Sequence, residues 1–207
     1  MKKETLQKRT KIANDIMYYI YTHIETNIDI EELSIDLGIS KFHMHRIFKE
    51  AFGKNIYESI KSIRLQKASN LLLTNKYSTI SNIVNQCGYS SQSSFIKIFK
   101  DRFEMTPKEW KNGGYKEYSQ KILQQSQRAS QSKADFKDMV PTIVKMPAIE
   151  SYYIRNKGYN INIKETWQKL QTWILTNDII SYKRIALFHD NPTITPLNEC
   201  QYIGCVM

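Results

Sequence analysis

Phe42, His45, Arg46 and Lys49 follow one another at i, i+3, i+4 and i+7, and Met44, Ile47, Phe48 and Ala51 follow the same spacing between them. On a helix the two sets fall on opposite faces, one apolar for a core and one polar for solvent or a ligand. The polar face has the donors of a DNA reader. Arg46 can give two bonds to guanine O6 and N7, His45 can donate or accept at a base edge, and Phe42 can meet a thymine methyl. Residue types alone leave an ordinary solvated face as the alternative. A second face of this kind holds Gln92, Ser93, Ile96, Lys97 and Lys100. There Gln92 suits adenine, Lys97 suits guanine or phosphate, and Ile96 is an exposed apolar residue unless it packs on thymine.

The two faces belong to an internal repeat. Residues 33–52 resemble residues 83–103 at an offset of fifty that becomes fifty-one after the glycine, pairing Leu33 with Ile83, Leu37 with Cys87, Gly38 with Gly88, Met44 with Phe95, Phe48 with Phe99 and Phe52 with Phe103. Each copy reads as a short apolar helix, a glycine for a sharp turn, a serine to cap, and a second helix. This is the helix-turn-helix pattern. A helix expected over residues 56–73 joins the copies, so both second helices can enter successive major grooves about one DNA turn (~34 Å) apart. One chain, binding as a monomer, would then read a site that need not be palindromic.

Charge agrees with this placement. The 207 residues carry a formal net charge of +10, and residues 1–116 hold 19 basic and 12 acidic side chains, a net +7 that marks the first segment as the place for a polyanion. The Gln- and Ser-rich stretch between Glu117 and Asp135 reads as a linker whose first half could extend a helix. Beyond it come β-compatible runs at 142–146 and 150–155, an amphipathic helix over about 162–175, and strands over 184–189 and 200–207. The expected fold class is a mostly α N-terminal module followed by a small α+β domain with the order β-α-β-β. Expected boundaries are 8–112 for the first domain, 113–137 for the linker and 138–207 for the second.

Enzyme chemistry finds no support in the residue pattern. His189-Asp190 has no nucleophile in register, and Cys200 and Cys205, five apart on a predicted strand, point to opposite faces. His43 and His45, two apart on a helix, face different directions, which disfavours a shared metal. Cys87 matches the core residue Leu37, and no Gly-rich phosphate loop occurs. No catalytic residue, metal or cofactor is expected. An odd cysteine count without a C-x-x-C pair fits a reducing cytoplasm, and no apolar run approaches the ~20 residues of a membrane span.

The run Ser40-Lys41-Phe42-His43-Met44-His45-Arg46-Ile47-Phe48-Lys49, the turn Gly88-Tyr89-Ser90-Ser91-Gln92 and the closing Phe103-Glu104-Met105-Thr106-Pro107 resemble the AraC/XylS family over roughly residues 12–112. The resemblance implies a transcription regulator, an activator that contacts RNA polymerase. It implies double-stranded DNA read by residues matching Phe42, His45 and Arg46 and, in the second copy, Gln92, Ser93, Ile96 and Lys97; Ser40, Lys41, Lys49, Ser91 and Lys100, at the caps and on the same faces, are further expected DNA contacts. Many relatives carry Trp, Gln, Thr and Arg where this chain has Phe42, His45, Ile96 and Lys97, so its operator should differ from theirs.

The tail is similar to the gyrase-inhibitor-like effector domain, through Tyr153-Ile154-Arg155 with Gly158, Trp167 with Leu170 and Trp173, and His189-Asp190 with Pro192. That resemblance implies an aromatic pocket for a lipophilic or cationic inducer between two β-α-β-β repeats, with Tyr153, Trp167, Tyr182 and Phe188 as its candidates in this chain. Core packing is the alternative for each of these rings. Only one repeat precedes Met207. The expectation divides between a fragment and a short regulator, and pairing with a second copy through the incomplete domain is a further expectation. A different reading is a ligand-binding or sequestering protein with incidental DNA affinity. Salt separates the two, because phosphate contacts weaken steeply with ionic strength and lipophilic binding does not.

Overall fold

The computed structural model describes residues 3–124, 145 and 148–207. These divide into two compact units, Met1–Tyr115 and Lys116–Met207.

In the first unit six helix starts carry a capping side chain that accepts amides otherwise left bare by the opening turn. Helix α1 (Lys3–Thr22) leads into α2 (Ile30–Asp36), where the Asp29 carboxylate accepts from the Glu31 and Glu32 amides at 2.8 and 3.2 Å. Ser40 caps α3 (Lys41–Phe52) at the His43 amide, and Asn55 caps α4 (Ile56–Thr74) in a reciprocal box with Glu58. The second copy repeats the sequence of caps. Thr79 opens α5 (Ile80–Gln86), Ser91 opens α6 (Gln92–Phe103), and Thr106 opens the short α7 (Pro107–Glu109) in a second box, with Glu109. Bonds from the Thr106 amide and hydroxyl hold the Glu109 carboxyl below its usual range. The repeat therefore runs past its expected end, to Asn55/Thr106 and Glu58/Glu109 at the same offset of fifty-one. A further helical turn from Trp110, broken by a kink at Gly113 (φ 115°), closes the unit.

The apolar stripes meet as the periodicity predicts. Ala13, Ile16 and Ile20 of α1, Leu33 of α2, Met44, Ile47 and Phe48 of α3, and Ile56 and Ile60 of α4 form the first core. In the second copy Ile83, Val84, Phe95, Phe99, Phe103 and Trp110 are buried. Phe99, Phe103 and Trp110 stack in sequence with ring centroids 4.5 and 4.6 Å apart. The Trp110 indole N–H donates to the Ser69 carbonyl of α4 at 3.1 Å. Ala51 corrects one expectation: it is exposed, because in the last turn of α3 the larger Phe52 takes the core contact.

In the second unit, strands β1 (Tyr152–Lys157), β2 (Arg184–Phe188) and β3 (Gln201–Val206) form an antiparallel sheet in the order β1-β3-β2. Helix α9 (Asn162–Thr176) lies between β1 and β2 in sequence, giving the expected β-α-β-β order. Register places Tyr152 and Arg184 opposite Val206, and Phe188 opposite Tyr202. Alternation then puts Tyr202, Gly204 and Val206 on the face covered by α9. Gly204 admits that helix closely, since a Cβ there would lie 2.9 Å from the Thr166 methyl and 3.2 Å from Leu170 Cδ1. Strand β2 is an edge among the described residues, and its side chains are largely exposed.

The stretch 113–137, expected as a linker, is helical over α8 (Tyr115–Gln124), and from Lys116 onward it groups with the second unit. The Tyr118 and Ser119 hydroxyls of α8 donate to the Ile194 and Thr193 carbonyls at 3.4 and 3.3 Å. Residues 125–137 of that stretch, and all of the run expected at 142–146 except Lys145, lie outside the described residues.

Candidate nucleic-acid interface

Helix α3 separates its two faces as the spacing requires. Met44, Ile47 and Phe48 are buried, whereas Ser40, Lys41, Arg46 and Lys49 are exposed and Phe42 keeps 78 % of its surface in solvent. Its ring stands on the same face as Arg46 and Lys49. His45 is half-buried because its ring stacks on Tyr57 of α4, with centroids 5.6 Å apart. Tyr57, itself 62 % exposed, extends the face beyond the helix that carries it. Sequence reading missed it, although it sits one residue into a helix whose start is marked by the Asn55/Glu58 pair.

Two polar contacts orient the cationic groups. Lys41 pairs with Glu31 of α2, and this bond raises its pKa above the usual lysine value. The Arg46 guanidinium lies 2.9 Å from His43 Nδ1, one turn back on its own helix. With Nδ1 as the acceptor, this contact fixes the fork and leaves further donors for a base edge. On α6, Ser91, Gln92, Ser93, Lys97 and Lys100 are exposed and Ile96 is half-buried, opposite the buried Phe95 and Phe99.

The joint between the copies was invisible in the sequence. Arg64, midway along α4, donates from Nε to the Ile24 carbonyl at 3.1 Å and from a terminal nitrogen to the Thr26 carbonyl at 2.6 Å. Its guanidinium also stands 5.9 Å from the Tyr89 ring centroid. Burial lowers the Arg64 pKa, and it pushes the Tyr89 hydroxyl up to about 12 and the neighbouring Cys87 thiol up to about 11. Gly88 sits inside this joint at φ 70°, where a Cβ would come within 2.5 Å of the Ile24 carbonyl oxygen and 2.8 Å of Arg64. Through these contacts α4 ties the turn between α1 and α2 to the turn of the second copy.

The four aromatic residues assigned to an effector divide between the faces of the sheet. Trp167 and Tyr182 pack with the α9 core, and Phe188 meets Tyr202 on the same side. Tyr153 is paired with Cys205 and lies on the opposite face. Asp190 accepts the Gln201 amide at 2.6 Å, which ties its carboxylate to the sheet.

Residues 33–113 match the helix-turn-helix domain family, and residues 139–207 match the GyrI-like small molecule binding domain family. The probable transcription factor PqrA of Proteus vulgaris is 34 % identical over 105 residues, which cover 50 % of this chain and 85 % of PqrA. The chain belongs to the AraC/XylS family. Another AraC/XylS relative, the xylose operon regulatory protein of Escherichia coli, is 34 % identical over 96 residues, 46 % of this chain; the chain spans 24 % of that protein's length. Among solved structures, the C-terminal domain of AraT, a response regulator from Geobacillus stearothermophilus, aligns with a TM-score of 0.46 at 25 % identity, over 49 % of this chain and 84 % of that one. The helix-turn-helix match falls on the first unit, the one with the duplicated capped helices. No helix among the described residues is long and apolar enough to cross a membrane.

Proposed function

We propose that the first unit reads double-stranded DNA through two unlike helix faces, making the chain a sequence-specific transcription regulator. The observation that carries this reading is the pair of capped helices α3 and α6, each with a buried apolar side and an exposed side of cationic and other polar groups. Arg46 and His45 read base edges in the first half-site, with Phe42 against a thymine methyl. Gln92, Ser93 and Lys97 read the second, with Ile96 at its apolar edge. Lys41, Lys49 and Lys100 meet phosphates, and Ser40 and Ser91 present the helix starts. Because the two faces differ, a monomer suffices and the site is bipartite and asymmetric.

The second unit binds a small-molecule effector that governs the first, a role supported by the match of residues 139–207 to the small-molecule-binding family. The regulator acts in the cytoplasm, where its DNA is, and activates by touching RNA polymerase. No described residue forms a catalytic constellation, and the reading assigns no chemistry to the chain itself.

Selection of randomised duplex DNA by the full chain tests the proposal. Enrichment of two unlike half-sites about one turn apart is the expected result, and binding without enrichment would reduce the first unit to a phosphate grip. Arg46→Ala should weaken the selected site by about 1 to 3 kcal/mol and relax one base pair. Equal loss on random duplex would reassign Arg46 to the backbone.

A further inference from the structure

Three of the four candidate effector aromatics already carry a guanidinium of this chain over the ring. Arg184 Cζ lies 5.8 Å from the centroid of Trp167 and 5.6 Å from that of Tyr182, and Arg155 Cζ lies 5.4 Å from that of Tyr153. The fourth ring, Phe188, is engaged edge-on by Tyr159 and Tyr202 at 5.2 Å each. Ring faces attract cations within about 6 Å through their negative quadrupole. A cationic ligand arriving at Trp167 and Tyr182 would meet a resident positive charge that has taken the same faces.

The Arg184 group is also set for an opposite charge. It donates to the Gln171 side-chain oxygen and, at 3.3 Å, to the Tyr182 hydroxyl, two contacts from neighbouring positions that hold the guanidinium plane beside the rings. Tyr182 in turn donates to Gln171 at 3.1 Å, so the hydroxyl, the amide and the guanidinium form one network. Five N–H groups against two acceptors leave donors facing outward from an exposed residue. Among the described residues no acidic side chain pairs with it. A planar carboxylate fits such a fork in a bidentate manner, and an aromatic ring attached to it brings no positive charge to oppose the guanidinium.

We infer that the second unit takes planar aromatic anions at Arg184, Trp167 and Tyr182, and discriminates against planar aromatic cations. This rests on the reading of residues 139–207 as a small-molecule-binding domain. The test is calorimetric titration of the full chain, without DNA, by two probes of equal ring size, 2-naphthoate and N-methylquinolinium. The anion should bind at least tenfold tighter. Arg184→Gln should reduce that ratio at least tenfold, with an unchanged thermal midpoint showing that the fold is intact. Arg184→Lys, which keeps the charge without the fork, should fall between the two. Tighter binding of the cation to the unaltered chain would overturn the inference while leaving the small-molecule reading in place. Binding of neither probe at millimolar concentration would overturn both. A ratio indifferent to Arg184→Gln would remove Arg184 from the site.

Discussion

Gly88→Ala is expected to cost about 3 kcal/mol, whereas Gly38→Ala, at the matching turn of the first copy, is expected to cost about 1 kcal/mol. Both glycines hold the left-handed backbone of a helix-turn-helix turn, at φ 62° and 70°, and a side chain in that region costs roughly 1 to 2 kcal/mol by itself. Their surroundings differ. A Cβ on Gly38 meets nothing within 4 Å, while one on Gly88 would lie 2.5 Å from the Ile24 carbonyl oxygen and 2.8 Å from Arg64. The carbonyl belongs to backbone and the guanidinium is held by two carbonyls, so relief requires moving the joint, an overpacking penalty of about 1 to 3 kcal/mol. Hydrogen exchange of the α5 and α6 amides in the full chain measures each cost as a fall in opening free energy. Equal costs at the two glycines would mean that the Arg64 joint is slack in solution.

Trp110→Ala should cost about 3 to 5 kcal/mol, the range for removing a large buried aromatic. Trp110 is fully buried, stacks on Phe103, meets Phe99 edge-on at 5.7 Å and bonds the Ser69 carbonyl. Trp110→Phe retains a ring and loses the N–H donor, and should cost about 1 to 2 kcal/mol. The pair separates packing from the hydrogen bond. On DNA, Trp110→Ala should blur the half-site read by α6 and spare the one read by α3, whose core contains none of these rings. The same selection experiment, run well below the melting point where the first unit stays folded, reads this directly, and simultaneous loss of both halves would show that the substitution has unfolded the unit as a whole.

What was legible in the sequence was punctuation and period. Glycine, serine and apolar spacing placed both helix-turn-helix copies, and the linking helix expected over 56–73 is α4, Ile56–Thr74. The core residues Met44, Ile47, Phe48, Phe95 and Phe99 lie where a 3.6-residue period puts them. Contacts made across the chain left no such trace. Arg64 bonds carbonyls 38 and 40 residues away, and its own neighbours in sequence look like any amphipathic helix. Tyr57 reaches His45 only because α4 leaves Gly53 at the angle it does. Strand parity was equally hidden: whether Tyr153 faces α9 or the other side depends on its pairing with Cys205, which no local pattern encodes.

Helix α4 belongs to both copies at once. Its first turns give Ile56 and Ile60 to the core of α1, α2 and α3, and farther along it buries Leu65, Ala68 and Leu72 and offers the Ser69 carbonyl to Trp110. Neither copy has a finished interior without that shared rod, and a half of some fifty residues buries so modest a fraction of its surface that losing part of its core leaves it below what folding requires. The duplication is therefore visible in the sequence but absent from the thermodynamics: the two reading heads should melt as one cooperative block. A chain cut within α4 would yield two molten pieces instead of two small readers.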